Sequence, residues 1–120
     1  MREAINHAVM QIVSTDKISV QLGNKVIEID PRKIYMIEAC RNSVNVYLNN
    51  TSITLNISMK SLIKELDPEI FLKTHKSYII NLMHVDKLRD NEVVLKNGAR
   101  ARIAVNNREA RRIIKYNDLR

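Results

Sequence analysis

The 120-residue sequence predicts a mostly β fold with short helices, of the α+β class, built from small antiparallel sheets with one central and one C-terminal helix. Three observations predict it. Short runs of alternating apolar and polar residues follow one another closely, each closed by turn residues, as in antiparallel sheets. Asn97-Gly98 is the strongest kind of short-range hairpin signal. Beyond the N-terminal segment, only the stretches after Ser58 and after Asn106 place apolar residues at helical spacing.

Taken in order, residues 3–13 set Ile5, Val9 and Ile12 at helical spacing with Ala8 beside them. This predicts a short amphipathic helix and makes residues 1–16 an N-terminal helical extension or linker, ahead of one domain over 17–120. From Lys17, Ile18, Val20 and Leu22 alternate with polar residues, and Gly23-Asn24 turns the chain into Lys25 to Ile29. Asp30-Pro31-Arg32 ends that strand. Strands follow over 34–39, 44–48 and 52–57, separated by Arg41-Asn42-Ser43 and Asn49-Asn50. Ser58 caps a helix through Leu66, whose Met59, Leu62, Ile63 and Leu66 form one apolar stripe. Asp67-Pro68 stops it.

Residues 71–81 read as one extended segment, Phe71, Lys73, His75 and Ser77 on one side and Leu72, Thr74, Lys76 and Tyr78 on the other. Strands over 84–88, 92–95 and 99–105 come next. In the last, Arg100 and Arg102 share one face, and Ala101, Ile103 and Val105 the other. Asn106 then caps the C-terminal helix, with Glu109 completing a capping-box pattern.

Composition narrows the function. The chain carries 20 Lys+Arg against 13 Asp+Glu, a net charge of +7, which favours a polyanionic partner. Residues 58–120 hold 14 basic and 8 acidic side chains, residues 1–57 only 6 and 5, so the polyanion-facing surface draws mainly on the second half. Cys40 is the only cysteine, which excludes an intrachain disulfide and reads as a small core residue. No apolar run is long enough to span a bilayer, and the N-terminus lacks a signal-peptide core. A cytoplasmic protein is expected.

Nothing predicts an enzyme, a metal site, a cofactor or a small-molecule substrate. His7, His75 and His84 stand far apart, only two glycines are present, and no serine lies in a nucleophile elbow. A helix-turn-helix needs adjacent helices, which strands here separate. Single-strand RNA readers need aromatic platforms, and aromatics are only 4%. Duplex DNA approached by basic loops on a β scaffold remains. Arg41, Asn42, Lys76 and Arg108 are suited to base edges. Lys73, His75, Ser77, Arg100, Arg102, Asn106, Asn107, Arg111 and Arg112 are suited to phosphates. Each also fits a solvated surface, and the lysines of 71–81 also fit an edge strand that discourages edge-to-edge pairing.

Phe71-Leu72-Lys73-Thr74-His75-Lys76-Ser77-Tyr78-Ile79-Ile80-Asn81 resembles the Phe-x-Arg-x-His-x-Ser-hydrophobic-Val-Asn signature of LytTR-type DNA-binding domains. Ile34-Tyr35-Met36-Ile37-Glu38 is similar to the family's early strand, the capped helix at Ser58 to its Leu-rich helix, and Ala104-Val105-Asn106-Asn107-Arg108 to its Val-Ser-Arg-Arg segment. The resemblance covers roughly residues 17–115. It implies a bacterial transcriptional regulator, either stand-alone or the effector piece of a response regulator in a two-component system. It further implies loops that enter successive major grooves of double-stranded DNA and bend it, paired direct repeats, and a homodimer on DNA. Base contacts would fall on Arg41-Asn42, Lys76 and Arg108. Lys73 stands where the family has arginine, which keeps the charge but loses the bidentate fork. Asn106 and Asn107 stand where the family has Ser and its first Arg. A protein-interaction or dimerisation module on the same fold is the alternative, with the Ile5, Val9 and Ile12 stripe as its docking face.

Overall fold

A computed structural model describes residues 9–14 and 17–118. Eleven strands form three antiparallel sheets, with two helices among the described residues. The first sheet has the order β1-β2-β3, from Val9–Ser14, Lys17–Leu22 and Lys25–Ile29. The central sheet is five-stranded. It comprises β4 (Met36–Cys40), β5 (Ser43–Tyr47), β6 (Ser52–Leu55), β7 (Phe71–His75) and β8 (Tyr78–Asn81), in the order β6-β5-β4-β8-β7. The third sheet joins β9 (Val85–Arg89), β10 (Glu92–Leu95) and β11 (Arg100–Arg102) in the order β11-β10-β9. Helix α1 is Met59–Ile63 and α2 is Arg108–Asp118.

The central sheet buries both faces because its strands alternate two sets of apolar side chains. Ile37, Val44, Val46, Leu55, Phe71 and Ile79 pack with Ile18, Val20 and Ile29 of the first sheet and with Met59, Leu62 and Leu66. Met36 and Ile80 point the other way, into a second core with Val93, Leu95, Ala101, Ile103, Ala110 and Ile114. Each fully buried Ile or Leu contributes about 1.5–3 kcal/mol. The two cores clamp one sheet whose turns project beyond them.

Local chemistry sets most boundaries. Ser58 caps α1 as expected, its Oγ accepting from the Ser61 N–H at 3.1 Å. The helix proper ends at Ile63, and its stripe continues to Leu66 through tighter turns bonded Glu65 to Leu62 and Leu66 to Ile63. Asp30 accepts from the Arg32 N–H at the head of a 3-10 turn, Pro31–Lys33.

Five expectations are corrected. Residues 9–14 are a strand, not part of a helix: Val9 pairs with Gln21 and Ile12 with Ile18, so the open edge of β2 overrides the helical spacing. Residues 3–8 of that expected helix lie outside the described residues. The 71–81 segment is a hairpin with Lys76-Ser77 at its turn, not one extended strand. Its register shifts between Lys73 and His75, and Thr74 is fully buried, donating its hydroxyl to the Arg102 carbonyl at 2.7 Å. This bulge breaks the simple alternation. The last strand stops at Arg102, because the Ala104 N–H leaves the third sheet to donate to the Thr74 carbonyl, and Val105 is exposed rather than inward. Asn107, not Asn106, caps α2, its Oδ1 accepting from the Ala110 N–H at 3.1 Å. Cys40 is exposed, not in the core, since it falls on the Glu38 side of β4 at the strand's open end.

Candidate nucleic-acid interface

Strand register gathers the candidate residues. β4 runs upward into the Arg41-Asn42 turn, and β8 runs down from the Lys76-Ser77 turn, with Glu38 opposite Tyr78. The Ala39 N–H donates to the Ser77 carbonyl at 2.8 Å, which ties the second turn to the first hairpin. With strands about 4.8 Å apart, the two turns stand roughly 10 Å from each other at one end of the sheet. The segment between β11 and α2 joins them on the far side of β7. Its Ala104 N–H bonds Thr74, and the Asn107 Nδ2 reaches the Thr74 carbonyl at 3.3 Å. Three turns therefore stand in a row.

Arg41 and Asn42 are both exposed, and Arg41 holds a φ of 58°, a left-handed conformation unusual for a side-chain-bearing residue. Lys73 and Lys76 are exposed, Lys76 at the hairpin tip. His75 is half-buried, and its Nδ1 accepts from the Ser77 N–H at 3.1 Å. In the neutral ring the proton then resides on Nε2. The ring also meets Tyr78 edge-on, centroids 5.8 Å apart. Arg102, Asn106 and Arg108 are exposed at this end.

Three candidates have their polar groups engaged within the fold. Arg100 lies opposite Val94, deeper along the third sheet, and bonds Glu92 at 3.1 Å. Asn107 uses its oxygen as the α2 cap and its amide nitrogen on β7. Arg111 likewise bonds the Asp90 carbonyl and, at 2.6 Å, the Asn91 Oδ1, pinning the β9–β10 turn to α2. Arg112 pairs with Glu109 at 3.2 Å on an open helix face, a contact of little energetic weight.

The sequence reading missed two features. Arg89 lines an open groove of about 550 Å³ with His75, Asp90, Glu92, Arg102 and Val105, adding a cation to this end. Glu38 is the other. It accepts from the Tyr47 hydroxyl at 2.9 Å and from the Tyr78 hydroxyl at 3.1 Å, lacing β4, β5 and β8 together below the turns. A glutamate inside an apolar strand was the available signal, because a carboxylate withdrawn from water needs donors. The hydrogen bond to Glu38 raises the Tyr47 pKa above its ordinary 10.0. Burial first, then the same carboxylate, raises that of Tyr78.

These shifts set an alkaline dependence. A folded-state pKa above the unfolded one means the native state binds more protons, so stability is complete below about pH 10 and falls as pH rises further. The denaturant midpoint should decline above that pH, and less steeply in Tyr47→Phe/Tyr78→Phe. Equal slopes in both proteins would remove the clamp as the cause.

Among the described residues, no three His, Cys, Asp or Glu side chains gather as a metal site, and no helix is long and apolar enough to cross a membrane. The LytTr DNA-binding domain family model matches residues 24–116. The chain is similar to the sensory transduction protein LytT of Enterococcus faecalis, at 20% identity over 95 residues, covering 75% of this chain and 39% of that relative. Among solved structures it is similar to a LytTr DNA-binding domain from Bacillus cereus, with a TM-score of 0.70 at 17% identity, covering 85% of this chain and 98% of that one. This last likeness concerns the fold.

Proposed function

The chain belongs to the LytTr DNA-binding domain family, a DNA-binding domain of transcription regulation, and from that premise we propose how it holds double-stranded DNA. The turn end of the central sheet is the DNA-reading surface. Arg41, Asn42, Lys76 and Arg108 reach base edges in the major groove, where guanidinium, ammonium and amide groups match the donor and acceptor pattern of base pairs. Lys73, His75, Ser77, Arg102 and Asn106 hold the flanking phosphates, and Arg89 joins them. Arg100 and Asn107 position the loops. DNA bends so that turns on a rigid sheet enter successive grooves, and two copies occupy paired repeats.

The observation that carries this reading is the row of three turns brought to one end by β4, β8 and the Thr74 bulge. The reading domain is 17–120, with residues 9–14 docked on it as an edge strand. The stripe that would have made residues 3–13 a docking helix is absent from 9–13, so no observation favours the interaction-module alternative.

Selection of genomic duplex fragments near physiological salt tests the reading, since non-specific binding is suppressed there. Enrichment of a short motif, twice repeated at about one helical turn, is the expected result. Salt-labile binding to all fragments alike would overturn it. Lys73→Ala should weaken cognate and scrambled duplexes equally and reduce the salt slope by about one. A change confined to the cognate duplex would remove Lys73 from the phosphate set.

A further inference from the structure

Val105 is 81% exposed, the largest exposure among the large apolar side chains described. The position is not a loose one. Ile103, two residues before it, is buried, its N–H donating to the Asn91 carbonyl at 2.8 Å. The Ala104 N–H donates to Thr74 at 2.8 Å, and the Asn107 N–H returns to the Ala104 carbonyl at 3.0 Å. Val105 and Asn106 are thus the two central residues of a β-turn, fixed on one side by the bulge of β7 and on the other by the cap of α2. A turn so anchored holds its central side chains in place before any partner arrives. Ordering Val105 on binding costs little, because its branched side chain has few rotamers to lose.

The same turn exposes Asn106 and leads into Arg108, also exposed. Side by side stand an isopropyl group, an amide and a guanidinium. Each matches a different element of the major-groove edge: the thymine methyl, the adenine N6/N7 pair and the guanine O6/N7 pair. A charge or an amide could serve a phosphate, but an isopropyl group could not. We propose that Val105 is a specificity-determining residue that packs on the C5-methyl of one thymine in the bound duplex. This rests on the DNA-reading surface proposed above and assigns one of its base contacts.

The test uses the tightest duplex recovered from a random-sequence pool by the whole 120-residue chain. Each thymine in it is replaced singly by deoxyuracil, which removes only the methyl group. The expected result is one thymine per bound copy at which replacement weakens the wild-type protein roughly fourfold, the effect of uncovering one methyl. Val105→Ala should bind the unmodified duplex more weakly by a similar factor and lose its sensitivity at that thymine alone. Circular dichroism should be unchanged, since the side chain supports no packing. If every deoxyuracil effect persists undiminished in Val105→Ala, the contact does not exist. If no duplex is retained over scrambled DNA, both the contact and the reading surface fail, and that outcome is distinct because it appears before any thymine is replaced.

Discussion

Arg108→Ala should lose about 1–3 kcal/mol of discrimination between a cognate duplex and a scrambled one while the protein stays as stable as before. The loss follows from placement. Arg108 is the first residue of α2, directly after the Asn107 cap, and is exposed. A cation at this end opposes the helix macrodipole by some 0.3–1 kcal/mol, so helix formation gives no reason for arginine there. It forms no ion pair with the described residues. Removing it should leave the thermal midpoint unchanged or slightly raised. Arg108→Lys should restore affinity for any DNA but not discrimination, because the ammonium lacks the planar fork that pairs with guanine O6 and N7. Lys76→Ala should act in the same direction from the neighbouring turn. Titration of both duplexes at two salt concentrations separates the effects. Undiminished discrimination in Arg108→Ala would remove it from the base-reading set.

Asn81→Ala should have the opposite signature, a loss of about 3 kcal/mol of stability with base discrimination intact in the folded fraction. Asn81 ends the His-x-Ser hairpin, is fully buried, and reads in sequence as one more polar residue of that motif. Its Nδ2 donates to the Ile34 carbonyl at 2.8 Å, and its Oδ1 accepts from the Met83 N–H at 2.8 Å. Alanine leaves both backbone groups without that partner, at about 1–3 kcal/mol each when water cannot replace it. The affected groups join the start of β4 to the chain leaving β8, so the whole central hairpin pair loosens. Urea unfolding would measure this as a lower midpoint at unchanged slope. A loss under about 1 kcal/mol would show that water reaches the site.

The two substitutions separate residues of the reading surface from residues that hold the fold. Arg108, Lys76 and the Arg41-Asn42 pair were legible as candidate contacts because they are polar residues at turns, flanked by runs that need burial. Asn81 and Thr74 were not legible as structural, because each finds a partner far along the chain, and Glu38 showed in sequence only its need of donors, not where they lie. Thr74 bonds a carbonyl 28 residues away, and Glu38 a tyrosine 40 residues away. Periodicity does not contain such distances.

The sequence by itself determined most of the strands and their turns, and the central and C-terminal helices. Alternation, Gly23-Asn24, Asn97-Gly98 and the Ser58 cap act within a few residues, so their effect is local. It also determined the family, through the order of its motifs. Only the tertiary structure decided that 71–81 folds back at Lys76-Ser77, a turn without glycine or proline whose Ser77 carbonyl accepts from the Ala39 N–H of β4. The tertiary structure likewise made residues 9–14 a strand against β2, set the α2 cap at Asn107, and left Val105 facing solvent. Each of those outcomes depends on an unpaired strand edge or carbonyl supplied by a distant segment. Backbone groups buried without partners are costly, and it was the supply of partners that chose among conformations the local sequence allowed.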